Sequence, residues 1–129
     1  MKTNPKFLND LYVIKDIREE IAGHKFTIQI ELNAGHAIFR GHFPGNPVLP
    51  GACTIQIIKE LLAYQLKRDL VLKKAGIIKY LSFINPEMNP QISFDLQIKE
   101  GEEGLLVSNA SVFHEATVFC SFKGEWAEE

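Results

Sequence analysis

The chain has 129 residues and a net charge of −2 from 14 basic and 16 acidic side chains, a length that predicts one domain over 1–129 and excludes a multidomain machine. At 46% hydrophobic and 23% charged residues it is too apolar for a disordered tail, and so even a charge balance excludes a general nucleic-acid binder. Two cysteines, Cys53 and Cys120, are too few for a disulfide framework, and no apolar run reaches signal-peptide or membrane-spanning length, so a cytoplasmic protein without membrane insertion is expected.

Leu11 to Ile14 reads as a first edge strand. Phe26, Ile28, Ile30 and Leu32 then alternate with Thr27, Gln29 and Glu31, the period of two that marks a strand with one buried face. Ala37 to Phe39 reads as a short further strand. Residues 41–51, Gly-His-Phe-Pro-Gly-Asn-Pro-Val-Leu-Pro-Gly, hold three prolines and three glycines in eleven positions. Proline fixes φ and glycine permits close backbone approach, so the loop should set His42 in place beside the next helix. That helix is expected over Gly51 to Arg68, which has no internal Pro or Gly, has Pro50 at its start and ends on cationic Lys67 and Arg68. Its apolar residues exceed an ordinary amphipathic stripe, so it should be buried on most sides by a curved sheet. Gln56, Glu60 and Lys67 fall within about 40° of one another and form its one polar seam. Ile77 to Ile84 is expected to add a strand, and residues 91–123 read as an antiparallel meander of three, turning at 100–104 and at His114-Glu115. The architecture is α+β, one long buried central helix held in an antiparallel sheet.

The chemistry concentrates before the helix. Histidine is the usual side chain for taking a proton near neutral pH, and free N–H groups at a helix start stabilise an oxygen that becomes negative. His42 beside the first turn therefore suits proton abstraction next to a carbonyl. Cys53, just inside the helix, is either a small buried hydrophobe or a thiol paired with His42. His24, His36 and His114 lie in expected turns without metal-ligand spacing, and no metal site is expected. Charge is uneven, with five cations and one acid over 67–79 and a balance of −7 over 80–129.

On Gly-His-Phe-Pro-Gly-Asn-Pro-Val-Leu-Pro-Gly and the helix after it, the chain resembles the hotdog-fold 3-hydroxyacyl-acyl-carrier-protein dehydratases of fatty acid synthesis. Weaker similarity of strand pattern extends from about Leu11 to Trp126. The resemblance implies a hotdog fold, a dimer or larger oligomer with composite active sites, and a substrate acyl chain carried on the phosphopantetheine arm of acyl carrier protein, with no other cofactor. It implies His42 as the catalytic base and the Gly51 amide as the donor polarising the thioester carbonyl. Phe43, Pro50 and Ala52 fall on the substrate-binding part of the same motif. The family places a catalytic Glu or Asp fourteen positions after the histidine, where this chain has Gln56, and commonly a glutamine four residues later, where it has Glu60. The carboxylate is thus moved about 6 Å along the axis. Dehydration to a trans-2-enoyl thioester, with Gln56 or Glu60 orienting the leaving hydroxyl, is the implied reaction. A non-catalytic acyl-thioester-binding subunit that completes a heterodimer, and a hotdog thioesterase, are the alternatives. The cations Lys67, Arg68, Lys73, Lys74 and Lys79 read either as a solvated face or as a rim that steers an acidic carrier protein.

Overall fold

The computed structural model describes residues 10–40 and 45–129. Strand β1 (Tyr12–Ile21) is followed by β2 (Lys25–Leu32), helix α1 (Gly51–Leu66), β3 (Leu70–Tyr80), β4 (Gln91–Glu100), β5 (Leu106–His114) and β6 (Thr117–Glu128). All six strands join one antiparallel sheet in the order β1-β2-β4-β5-β6-β3.

The register explains the core. Ile28 stands opposite Phe94, Phe94 opposite Val112 and Val112 opposite Cys120, so one apolar row crosses four strands. Phe26, Leu96, Ala110 and Phe122 form the next row. Paired residues share a face, so the alternation read in each strand adds up to one continuous buried surface. Cys53, Ile57, Ile58, Leu61 and Leu62 of α1 complete the same core. Trp126 is fully buried beside Phe122, and its Nε1–H donates to the buried Ser108 hydroxyl at 2.7 Å, which satisfies the indole where water is excluded. Among the described residues no helix is long and apolar enough to cross a membrane.

Four sequence expectations are corrected. Residues 37–39 form a 3-10 turn, not a strand, because the ring of His36 accepts from the Ile38 N–H at 3.0 Å and nucleates it. The helix stops at Leu66, two residues before Arg68: Lys67 takes a left-handed conformation (φ 57°), and its N–H returns to the Ala63 carbonyl. The first strand runs to Ile21, well beyond Ile14. The strand expected over Ile77 to Ile84 occupies Leu70–Tyr80 instead, and residues 81–84 lie outside any strand. As the last strand of the sheet it is exposed from Lys73 onward on both faces, so it carries no alternation to read.

Candidate active site

The first turn of α1 opens on a cleft of about 620 Å³. Val48, Leu49, Pro50, Gly51 and Thr54 form one wall, and residues 80–84 with Phe119 and Cys120 form the other. The described part of the proline-rich loop is anchored here, since Leu49 N–H donates to the Ile84 carbonyl at 2.8 Å and Val48 and Leu49 are buried. Pro50 is the N-cap and has no side-chain cap bond. The helical bonds begin with Cys53 and Thr54 N–H on the Pro50 carbonyl. The Gly51 and Ala52 amides precede them, the position of the orphan donors of a helix start. Gly51 lets the ring of Tyr80 approach closely: a Cβ there would lie 2.7 Å from it and the tyrosine side chain would have to shift. Tyr80 is thereby seated directly on the helix N-terminus, and burial raises its phenol above the ordinary range, so it is a neutral hydroxyl in the cleft.

Farther along α1 the polar seam is not a wet one. Glu60 is only 7% exposed. The hydroxyl of Tyr12, itself 3% exposed on β1, donates to Glu60 Oε1 at 3.0 Å, and Gln56 Nε2 donates to Oε2 at 2.9 Å. The polar seam of the helix therefore does not face solvent at Glu60. Burial pushes the Glu60 carboxyl up from the ordinary range, while the bonds from Gln56 and Tyr12 and the charge of Lys59 pull it down. The Tyr12 phenol is raised well beyond its usual value, first by burial and then by Glu60, and stays a neutral donor. Burial and the Glu60 charge also push the Cys53 thiol up. A reactive thiolate needs the opposite shift, so Cys53 is the buried hydrophobe of its two readings.

A carboxyl whose folded pKa is raised contributes stability that is fully present below its unfolded value, near 4.3, and is lost as pH rises through the folded value. The isosteric Glu60→Gln is therefore expected to gain on the order of 1 kcal/mol relative to the parent between pH 5 and pH 8. Chemical unfolding at both pH values checks it, and parallel stability curves for the two proteins would refute it.

Gly51 and Pro50 border the cleft and Gln56 and Glu60 form one hydrogen-bonded unit, but a single chain does not bring these two groups into one cavity. Gln56 and Glu60 stand about 140° and 180° round the helix from Gly51 and are absent from the cleft lining. Ala52 is exposed. His42 and Phe43 lie outside the described residues. Tyr12 and Tyr80 had no signal in the sequence, because each meets α1 only through tertiary packing. The Lys67, Arg68, Lys73, Lys74 and Lys79 side chains are exposed at the helix end and along β3.

The family model ApeI-like, described as ApeI dehydratase, matches residues 18–121. The chain belongs to the ApeI-like dehydratase family. Among curated proteins, this ApeI-like chain is 23% identical over 113 residues to the 3-hydroxyacyl-[acyl-carrier-protein] dehydratase FabZ of Zymomonas mobilis, covering 88% of the chain and 67% of that protein. It is 29% identical over 105 residues to FabZ of Caulobacter vibrioides, covering 79% and 65%. The match to FabZ of Enterococcus faecalis is 33% over 48 residues, 37% of the chain and 34% of that protein. These matches thus span from about one third to two thirds of the relatives' length. Among solved structures, the dehydratase heterocomplex ApeI:P of Xenorhabdus doucetiae superposes with a TM-score of 0.65 at 23% identity, covering 88% of this chain and 96% of that one. A Streptococcus pneumoniae hypothetical thioesterase with coenzyme A gives 0.63 at 12% identity, covering 92% and 85%. Identities this low speak to the fold alone, which is the hotdog fold for the ApeI-like chain as for both neighbours.

Proposed function

We propose that the protein dehydrates 3-hydroxyacyl thioesters, borne on the phosphopantetheine arm of acyl carrier protein, to trans-2-enoyl thioesters. The observation that carries this reading is the mainly apolar cleft that ends on the Gly51 amide, at the start of a helix whose N-cap offers no side chain to fill it. An acyl chain fits apolar walls, and the helix start offers N–H donors where a thioester oxygen gains negative charge. In this mechanism His42 takes the proton from C2, and the electron pair left on C2 forms the C2–C3 double bond as the C3–O bond breaks. The hydroxyl leaves as water on gaining the proton that His42 took from C2, so that the histidine returns to its starting state. Gly51 N–H polarises the thioester carbonyl, and Gln56, braced by Glu60, orients the departing hydroxyl. The chemistry requires no metal or redox group.

Since one chain keeps the Gly51 cleft and the Gln56–Glu60 pair apart, the working site combines halves from two hotdog chains. Tyr80, Leu81 and Phe83, the last 78% exposed, leave an apolar rim beside the unpaired edge of β3, and contiguous exposed apolar surface of this kind marks an interface. A second copy is the simplest partner. The heterodimer reading keeps one specific support, the carboxamide at position 56, and the ApeI:P structure is itself a heterocomplex.

Hydration of a short enoyl thioester, the reverse reaction, is followed by the loss of its ultraviolet band. Loss of the band with the protein alone supports the homomeric dehydratase. Loss only with an added partner subunit supports the heterodimer, and no loss with any carrier protein removes the dehydratase reading. Release of free thiol would mark thioester hydrolysis instead. The five exposed cations over 67–79 serve as the steering surface for the acidic carrier. Raising salt from 50 to 300 mM is accordingly expected to increase KM severalfold for carrier-bound substrate and to leave a pantetheine-borne analogue unchanged; equal salt responses for the two substrates would assign the cations to solvation alone.

A further inference from the structure

We infer that Tyr12 is a positioning residue, which through Glu60 fixes the end of the Gln56 carboxamide that is offered to the substrate. This inference rests on the dehydratase reading for its functional half. An ionised carboxylate accepts hydrogen bonds and donates none. With Glu60 ionised, the amide of Gln56 must therefore turn its Nε2–H group to Oε2, the 2.9 Å contact observed, and its carbonyl oxygen is left for another donor. The 3-hydroxyl of a substrate is such a donor. Tyr12 holds the opposite oxygen at 3.0 Å, so the carboxylate is gripped on both sides and does not rotate away from Gln56.

The device titrates. A protonated Glu60 has a hydrogen to give, and the Gln56 amide then has two acceptable orientations, only one of which presents its carbonyl oxygen outward. Among the described residues the groups acting on Glu60 are Tyr12 from β1 and Gln56, Cys53 and Lys59 from its own helix, while β2 and β4 turn apolar residues to the core. Among the described residues, Tyr12 is the one donor supplied to Glu60 from outside the helix. Its hydroxyl favours the charged form, so removing it raises the carboxyl pKa and shrinks the pH range in which Gln56 is held.

The test uses the full chain with glutamate labelled by carbon-13 at the carboxyl, the Glu60 signal being identified by its loss in Glu60→Gln. Tyr12→Phe is expected to move the Glu60 titration to higher pH, and an unchanged or lowered midpoint overturns the inference. This readout needs no enzymatic turnover, so it remains decisive even if hydration of the enoyl thioester is absent and the dehydratase reading falls. Where hydration is measured, Tyr12→Phe is expected to shift the acid limb of kcat upward with the carboxyl, to lower kcat roughly tenfold at neutral pH with little change in KM, and to cost nothing further in a Glu60→Gln background. A penalty that persists in that background would make Tyr12 a packing residue only. Should Tyr12→Phe not fold, the side-chain amide signals of Gln56 in the unaltered protein give the second measurement: they should titrate with the Glu60 midpoint, and independence from it refutes the coupling.

Discussion

Replacing His42 by alanine is expected to slow enoyl-thioester hydration by roughly 10²- to 10⁴-fold, the usual contribution of a placed general base. The expectation comes from its neighbours in sequence and from the wall they build. His42 precedes Phe43-Pro44, and the chain then runs through Pro47 and Pro50 into α1. The later part of that segment is pinned, with Leu49 bonded to the Ile84 carbonyl and Val48 and Leu49 buried. Proline fixes φ and so leaves a sequence of this composition few conformations to lose, which is the condition under which a base is delivered at a fixed distance from its proton. No competing base stands in the described cleft: Tyr80 is held as a neutral phenol, and burial raises the Cys120 thiol as well. The measurement is the initial rate of enoyl-band loss for parent and variant at matched unfolding temperature. A fall of less than about threefold would assign the proton transfer to another group.

How far the sequence carried differs by element, for physical reasons. β2 and β4 alternate cleanly because each has one face on the core and one outward, and their predicted spans agree with the fold within a residue or two. β3 was displaced by seven residues at its start. Its Lys73, Lys74, Ala75 and Gly76 are all exposed, and an edge strand with neither face covered in its own chain leaves no period to detect. Residues 37–39 read as a strand because Ala-Ile-Phe is locally as good a strand as any, whereas the histidine ring that caps the turn is a contact, not a composition. The helix was legible from its unbroken run of helix formers. Its end was not, since Lys67 in a left-handed conformation has no signature short of glycine. Of the candidate site, the loop and the Gln56–Glu60 pair stood out by motif and spacing. Their relation did not: that Glu60 is buried, that Tyr12 some 48 residues earlier grips it, and that Tyr80 lies on Gly51 are all consequences of strands folding back over the helix.

The exchange of Glu and Gln on α1 yields the second large expectation. Gln56→Glu would put an acid at the position where the resemblance to the dehydratases implies one, yet here it is expected to lower stability by about 2 kcal/mol near pH 8 and to reduce activity. The new carboxyl would stand where Gln56 now meets Glu60 Oε2 at 2.9 Å, and Tyr12 already occupies the other oxygen. Two carboxylates in such contact cannot both ionise freely, so the pair retains a proton to higher pH in the folded chain than in the unfolded one. The folded state then binds the extra proton, stability falls as pH rises, and the loss is expected to be recovered by pH 5. The double variant Gln56→Glu with Glu60→Gln separates charge from position. It preserves one carboxylate and one carboxamide in the same hydrogen bond with the direction reversed, and Tyr12 still finds an acceptor in the new amide. Its stability is accordingly expected within about 1 kcal/mol of the parent at both pH values, measured by urea unfolding. Activity restored by the swap but not by the single change would show that the site requires one negative charge on this seam and tolerates it at either position. Activity raised by orders of magnitude in Gln56→Glu alone would instead mean that the chain lacks its own acid and works beside a partner that supplies one.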